Sequence, residues 1–186
     1  MEALDPLYEQ FRSRADLTNH RAVLEELWCQ YAKLADHHFL SQAVRQFLPR
    51  FWEIKLGCVF MDSLPHVERV GKQGPDFRCK LRNGVITYLE ATCPGPGDRR
   101  DKVKDIEPDS AGWVPEDKVV LRLTSAFENK HKSYRGYVEK GLVGETDPFV
   151  IAINGCGVPH TLIDSDPPYI VQALFPLGSP YVSVDP

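Results

Sequence analysis

The dipeptide Asn83-Gly84 is the feature that most constrains how this chain can fold. It separates two short runs in which polar and apolar residues alternate, 76–82 and 85–92. An Asn-Gly pair between such runs predicts a β-hairpin, because both residues tolerate the positive φ angles that a type I′ turn requires at its central positions. We therefore expect two antiparallel strands joined by a two-residue type I′ turn.

The predicted hairpin places two acidic residues at its open end. Asp76 begins the first strand, and Glu90 lies near the end of the second, on a face that is apolar further along the strand. Two carboxylates at one end of a sheet repel each other unless a cation lies between them. One interpretation is therefore a cation site. The other is that Asp76 caps a loop while Glu90 pairs across the sheet with Arg78 or Lys80.

The size and charge of the chain limit the classes of protein to consider. Its 186 residues predict one domain, and 26 acidic against 22 basic residues give a net charge of −4. A strongly basic surface is thereby excluded, although a local basic patch is not. No apolar run approaches the roughly 20 residues that span a bilayer, and the N-terminus lacks the apolar core of a signal peptide. We expect a protein without membrane association.

The five cysteines are scattered along the chain and include no Cys-x-x-Cys pair. This spacing argues against both a zinc site and a disulfide framework, and it favours a reducing cytoplasm. Cys156 and His160 lie within one loop, a spacing that rarely builds a catalytic dyad, so we do not expect a nucleophilic cysteine.

Apolar residues at helical spacing predict two helical segments before the hairpin, over about 16–36 and 39–62. Pro49 either kinks the second segment or lies in the first turn of a new helix. We expect residues 1–48 to form an N-terminal helical extension packed on a core domain that comprises residues 49–186.

Glu53 lies at the border of the apolar stripe of the second helical segment, close to Leu56 and Phe60 at about 100° per residue. An acid at such a border is costly unless it is paired or binds a metal. Either Glu53 is a surface residue paired with an arginine such as Arg50, or it belongs to a functional site.

The clearest predicted helix covers about residues 118–141, with Gly141 just past its end. Lys130 lies in the middle of its apolar stripe. A lysine there extends its ammonium group to solvent, changes its pKa or meets an anion, and carboxylates on the neighbouring sheet would serve as that anion.

The remaining segments complete a small sheet. Residues 66–70 are a candidate first strand, and the apolar run 149–154 predicts a buried strand that follows the helix in a right-handed unit. A short helix is expected over 169–175, and a last strand over 181–184. Because the sequence ends directly after that last strand, we expect one of two things. Either the sequence is a piece of a longer protein, or this strand pairs with another copy of the chain.

In this order of elements the chain resembles the PD-(D/E)xK superfamily, the restriction-endonuclease-like fold, and within it a bacterial branch with a displaced lysine. Pro75-Asp76 is similar to the Pro-Asp of that family, Glu90-Ala91-Thr92 to its Glu-x-Lys, and Glu53 to the glutamate that many members carry on the first helix. The resemblance covers about residues 50–155. It implies an α/β fold with a mixed sheet (α+β), namely an αβββαβ core preceded by the helical extension.

Thr92 departs from the family pattern, because threonine cannot supply the positive charge of the motif lysine. Some members of the superfamily carry that lysine on the following helix, and the resemblance implies that Lys130 takes its place here.

The function implied by the resemblance is a metal-dependent nuclease that hydrolyses phosphodiester bonds of nucleic acid. Asp76, Glu90 and the carbonyl of Ala91 would hold Mg²⁺ or Mn²⁺, and Glu53 would hold a second metal or a water on the metal. Lys130 would orient the attacking water and stabilise charge on the phosphate. The alternative is a catalytically degenerate module that binds a protein or nucleic-acid partner without cutting. A further alternative is a nuclease whose DNA-binding or oligomerising part lies beyond the sequence.

Overall fold

The computed structural model describes residues 3–71, 73–105, 112–163 and 165–175. The strand predicted over 181–184 lies outside these residues. The described helices and strands, in chain order, are α1 (Pro6–Ser13), α2 (Thr18–Tyr31), α3 (Phe39–Ala43), α4 (Phe47–Ser63), β1 (His66–Glu68), β2 (Phe77–Lys80), β3 (Ile86–Thr92), α5 (Glu116–Glu139), β4 (Phe149–Ile153) and α6 (Tyr169–Leu174).

The four strands form one mixed sheet in the order β1-β2-β3-β4. The first two neighbouring pairs are antiparallel, and β3 and β4 are parallel. A parallel pair needs a crossover connection, and α5 lies in that connection. From α4 onward the order is helix, three strands, helix, strand, so the predicted mixed α/β architecture is confirmed at this level.

The hairpin between β2 and β3 is confirmed, but the expected type I′ turn is wrong. The amide of Leu81 donates to the carbonyl of Val85 at 2.8 Å, and the amide of Gly84 donates to the carbonyl of Leu81 at 2.9 Å. Gly84 has a φ of 85°, whereas Asn83 does not have a positive φ. The loop therefore has three residues, and only its last one, a glycine, adopts the left-handed conformation. Asn83 accepts a hydrogen bond from the Val85 amide through its side chain, which supports this conformation.

Strand β4 was expected to be fully buried, and this expectation is wrong. The strand lies at the edge of the sheet, and Val150 is 44% exposed. Its apolar run reflects packing on one face against α5, where the ring of Phe149 contacts the ring of Tyr134. An apolar run of five residues does not distinguish a central strand from an edge strand with one covered face.

The helices follow the predicted segments with two differences. The segment predicted over 39–62 is divided into α3 and α4, and Pro49 lies in the first turn of α4, which confirms that alternative. The sequence reasoning missed α1, which Asp5 caps by accepting a hydrogen bond from the amide of Leu7. Among the described helices, none combines the length and the apolar character needed to cross a membrane.

The main hydrophobic core joins the N-terminal helices to α4 and the sheet. Its buried members are Tyr31, Phe39, Ile54, Cys58, Phe77, Cys79 and Leu89. Because α4 begins at Phe47, the boundary predicted between residues 48 and 49 falls inside a helix, and the helices before it contribute side chains to the same core.

Candidate functional site

Asp76 and Glu90 lie side by side at one end of the hairpin. The backbone amide of Asp76 donates to Oε2 of Glu90 at 3.2 Å, and the amide of Ala91 donates to Oδ2 of Asp76 at 2.8 Å. Asp76 directly precedes β2, and Glu90 is only 5% exposed within β3. Each strand therefore binds the carboxylate of the other, which fixes both acids.

The carbonyl of Ala91 is a third oxygen at this position. The amide of Ala91 points toward Asp76, and in a strand the N–H and C=O of one residue point to the same side. The pairing of β2 with β3 ends at Phe77 and Leu89, so that carbonyl lies beyond the last paired residues of the hairpin. Pro75, which precedes Asp76, has no N–H to donate.

Lys130 extends from α5 to the acidic pair. Its Nζ atom lies 2.8 Å from Oε1 of Glu90. The hydroxyl of Tyr137, seven residues later on the same helix face, lies 3.4 and 3.5 Å from the two oxygens of Glu90. Of the three interpretations that the sequence left open for Lys130, the structure shows contact with an anion, the carboxylate of Glu90. Glu90 is thus paired with α5, while Arg78 pairs with Glu68 instead.

Glu53 is 3% exposed, so of the two alternatives left open the surface position is wrong, while the pairing with Arg50 that belonged to it is confirmed. Nη1 of Arg50 lies 2.5 Å from Oε2 of Glu53, and Nη2 of Arg69 lies 2.8 Å from Oε1. The hydroxyl of Tyr31 also donates to Oε1 at 2.8 Å. Both carboxylate oxygens therefore have partners within the protein, which offset the cost of burying the charge.

The three acids are linked electrostatically. Burial raises the pKa of Asp76, the charge of Glu90 raises it further, and the amide of Ala91 and the ammonium of Lys130 act in the opposite direction. Burial also raises the pKa of Glu53, and so does the charge of Asp76. Negative charge is therefore concentrated here, an arrangement that favours a cation and is typical of functional sites.

Asp76 and Glu90 line an open cavity of about 420 Å³, a volume within the range of small-ligand sites. The other charged or hydrogen-bonding side chains that line it are Asp36, His38, Gln42, Arg50, Arg69 and Tyr137. The cavity thus brings together three carboxylates and two guanidinium groups.

The chemistry of the donors fits one hard divalent cation. Across the described ranges, no group of three or more His, Cys, Asp and Glu side chains is arranged to hold a metal. Mg²⁺, however, is usually held by one or two carboxylates together with water and substrate phosphate. Asp76, Glu90 and the Ala91 carbonyl provide such a set, although Lys130 already contacts one oxygen of Glu90. Metal ligation by Glu53 stays a prediction, because both of its oxygens are bonded within the protein.

Sequence reasoning missed the roles of Tyr31, Arg69 and Tyr137. The ring of Tyr31 packs in the hydrophobic core and that of Tyr137 packs on Phe149, while the hydroxyls of both reach the carboxylates. The only signal for Arg69 was a basic residue in a predicted strand next to the loop that leads to Asp76.

Comparisons with protein-family models, with curated proteins and with solved structures found no significant match. The fold and the site therefore define this protein only as a mixed α/β protein with an adjacent pair of acidic residues, an attached lysine and a polar cavity.

Proposed function

We propose that this chain is a cytoplasmic, divalent-metal-dependent nuclease of the restriction-endonuclease-like type. The observation that carries the proposal is the juxtaposition of Asp76 and Glu90 at one end of the hairpin with Lys130 in contact with Glu90. The order of elements from α4 to β4, and the three strand pairings, support it further.

In this proposal Asp76, Glu90 and the carbonyl of Ala91 hold Mg²⁺ or Mn²⁺. A bound divalent ion would supply a nucleophile at neutral pH and would neutralise charge on the phosphoryl group. The protein contributes the fixed orientation of both carboxylates, because each accepts a backbone N–H from the opposite strand.

Lys130 supplies the positive charge that Thr92 cannot provide. Its ammonium group contacts the carboxylate of Glu90 and is about one quarter exposed, so it remains accessible from the solvent side. A fixed cation beside a phosphodiester stabilises the negative charge that grows on the phosphoryl oxygens during hydrolysis. We assign Lys130 this role and the orientation of the attacking water.

Arg50 and Arg69 line the cavity next to the acidic pair, and both also pair with Glu53. The net charge of the chain is −4, so a bound divalent ion would supply much of the positive charge that attracts a polyanion to this cavity.

A degenerate module that binds a partner without cutting is the second candidate. One observation favours it: Lys130 already neutralises Glu90, and two arginines already neutralise Glu53. A site compensated in this way is stable without a metal.

Calorimetric titration of Mg²⁺ and Mn²⁺ distinguishes the two candidates. We expect saturable binding by the wild type and loss of binding in Asp76→Asn and Glu90→Gln. Glu139→Gln is the matched control, because Glu139 is an exposed glutamate at the end of α5. Absence of binding in the wild type would contradict the metal site and leave the degenerate module.

Cleavage is tested separately with plasmid, linear duplex, single-stranded DNA and RNA in Mg²⁺ or Mn²⁺. The nuclease proposal requires products from at least one of these substrates, and it requires that Asp76→Asn abolish them. Metal binding without any cleavage would contradict the enzyme while retaining the site.

A further inference from the structure

Two cysteines that are far apart in the sequence meet at the ends of the parallel strands. Cys93 directly follows β3, and Cys156 lies in a single turn of 3-10 helix, Gly155–Gly157, after β4. Their Sγ atoms are 3.8 Å apart. The register pairs Thr92 with Ile153, and the turn after β4 folds back so that Cys156 reaches Cys93.

The approach of the two loops is built into the backbone. A Cβ atom on Gly157 would lie 2.5 Å from the carbonyl oxygen of Pro94 and 3.4 Å from Sγ of Cys93. Only glycine therefore permits this contact. Asn154 fixes the turn from the other side, since its side chain accepts a hydrogen bond from the Cys156 amide at 3.0 Å.

The two thiols differ in their surroundings. Cys93 is buried, and burial together with its neighbour Cys156 raises its pKa to about 12. Cys156 is exposed to solvent. Reaction with an oxidant depends on access and on thiolate character, so Cys156 is the residue that an oxidant reaches first.

We propose that Cys93 and Cys156 form an oxidation site that a hydroperoxide converts to an intramolecular disulfide. The Cys156 thiol releases its proton, and the thiolate attacks the terminal oxygen of the hydroperoxide. The O–O bond breaks, a sulfenic acid forms, and the leaving alkoxide, or hydroxide for hydrogen peroxide, takes up that proton to give an alcohol or water. The Cys93 sulfur then attacks the sulfenic sulfur, and its proton leaves with the hydroxyl group as water. Two thiols are oxidised to one disulfide, and one peroxide is reduced.

The movement that closes the bond is small. The sulfur atoms must approach from 3.8 Å to the roughly 2 Å of a disulfide, and the side chain of Cys156 is exposed to solvent. Cys58 and Cys79 are buried in the hydrophobic core, away from solvent oxidants, and Cys29 is exposed on α2. The inference is independent of the proposed nuclease activity.

The test treats the purified full chain with hydrogen peroxide, blocks the remaining thiols by alkylation, and maps the peptides by mass spectrometry. We expect a peptide pair linked through Cys93 and Cys156, the loss of two of the five thiols, and recovery of both with dithiothreitol. Cys29→Ser is the matched control and should form the same link, because Cys29 is exposed but not part of the pair.

Two variants test the order of the steps. In Cys93→Ser we expect a sulfenic acid at Cys156 that dimedone traps, because no second thiol resolves it. In Cys156→Ser, Cys93 should stay reduced under the same conditions. The proposal is overturned if wild-type Cys156 proceeds to sulfinic acid without the link, if the links join different chains, or if Cys93 oxidises equally well without Cys156.

Discussion

Nη2 of Arg69 lies 2.8 Å from Oε1 of Glu53, so the end of β1 is bound to the middle of α4 by a buried ion pair. The Arg69 side chain is 18% exposed and that of Glu53 is 4% exposed. Glu53 also binds Arg50, and the charge of Asp76 raises the pKa of Glu53. The ion pair between Arg69 and Glu53 therefore connects the core to the acidic site. This relationship explains how an acid close to two other acids stays buried.

Arg69→Ala is expected to destabilise the protein by about 3 kcal/mol, the lower end of the cost of breaking a buried pair, because Arg50 remains beside Glu53. Urea denaturation at neutral pH measures this free energy of unfolding. Arg82→Ala, in the exposed hairpin turn, is the control and should change stability by no more than about 0.5 kcal/mol. Equal effects of the two substitutions would show that Glu53 does not depend on Arg69.

Two glycines within helices should respond in opposite directions to substitution by alanine. In α4, a Cβ on Gly57 would lie 2.6 Å from the ring of Tyr31, whose hydroxyl binds Glu53. Gly57→Ala should therefore cost about 1–3 kcal/mol through overpacking. In α5, a Cβ on Gly136 meets no described atom within 4 Å, and Gly136→Ala should stabilise by about 1 kcal/mol through helix propensity.

Thermal unfolding followed by circular dichroism measures both glycine variants. If Gly57→Ala were tolerated as well as Gly136→Ala, the close packing of Tyr31 on α4 would be contradicted.

Asp76→Asn should stabilise the protein at neutral pH by about 1 kcal/mol, which lies within the usual range for a single stabilising substitution. Burial and the charge of Glu90 raise the pKa of Asp76 above its unfolded value, so its ionised form destabilises the folded state. The destabilisation by ionised Asp76 is fully present at a pH above the pKa of Asp76 in the folded state. It is lost as the pH falls through that pKa toward the unfolded value. Asparagine carries no charge and still accepts the hydrogen bond from Ala91.

The gain from Asp76→Asn should therefore shrink between neutral pH and about pH 4, where the ordinary aspartate titrates. Urea denaturation at several pH values checks this, with Asp98→Asn, the same substitution at an exposed position outside the site, as the control. A gain that grows as the pH falls would contradict the direction of the Asp76 shift.

Lys130→Ala should reduce nuclease turnover by about a hundredfold or more, the usual cost of losing a fixed group that stabilises transition-state charge. Lys132→Ala, an exposed lysine on the same helix, is the matched control and should leave turnover within a factor of about two. Because Glu90 loses its cation in Lys130→Ala, circular dichroism first establishes that the variant is folded. Equal turnover of the two variants would remove Lys130 from the proposed mechanism.

Local patterns predicted the elements that carry the site. The Asn83-Gly84 pair located the hairpin, and the apolar stripe of α5 with Gly141 after it located the helix and the face on which Lys130 lies. The turn type was missed because Asn-Gly also fits a three-residue loop in which only glycine has a positive φ. The short helix α1 was missed although Tyr8 and Phe11 share one face and pack on Phe47, because its 8 residues are fewer than the stretch over which helical periodicity is recognised.

The sequence by itself located the hairpin and helix α5, and it placed Glu90 and Lys130 on faces that are otherwise apolar, because backbone periodicity sets those properties over a few residues. Only the tertiary structure decided the partners of each charge. Lys130 binds Glu90, which lies 40 positions earlier, and Glu53 is held by Arg69 and Tyr31 rather than by Arg50 alone. An ion pair depends on separations of a few ångströms between side chains from distant segments, and no local pattern encodes those separations.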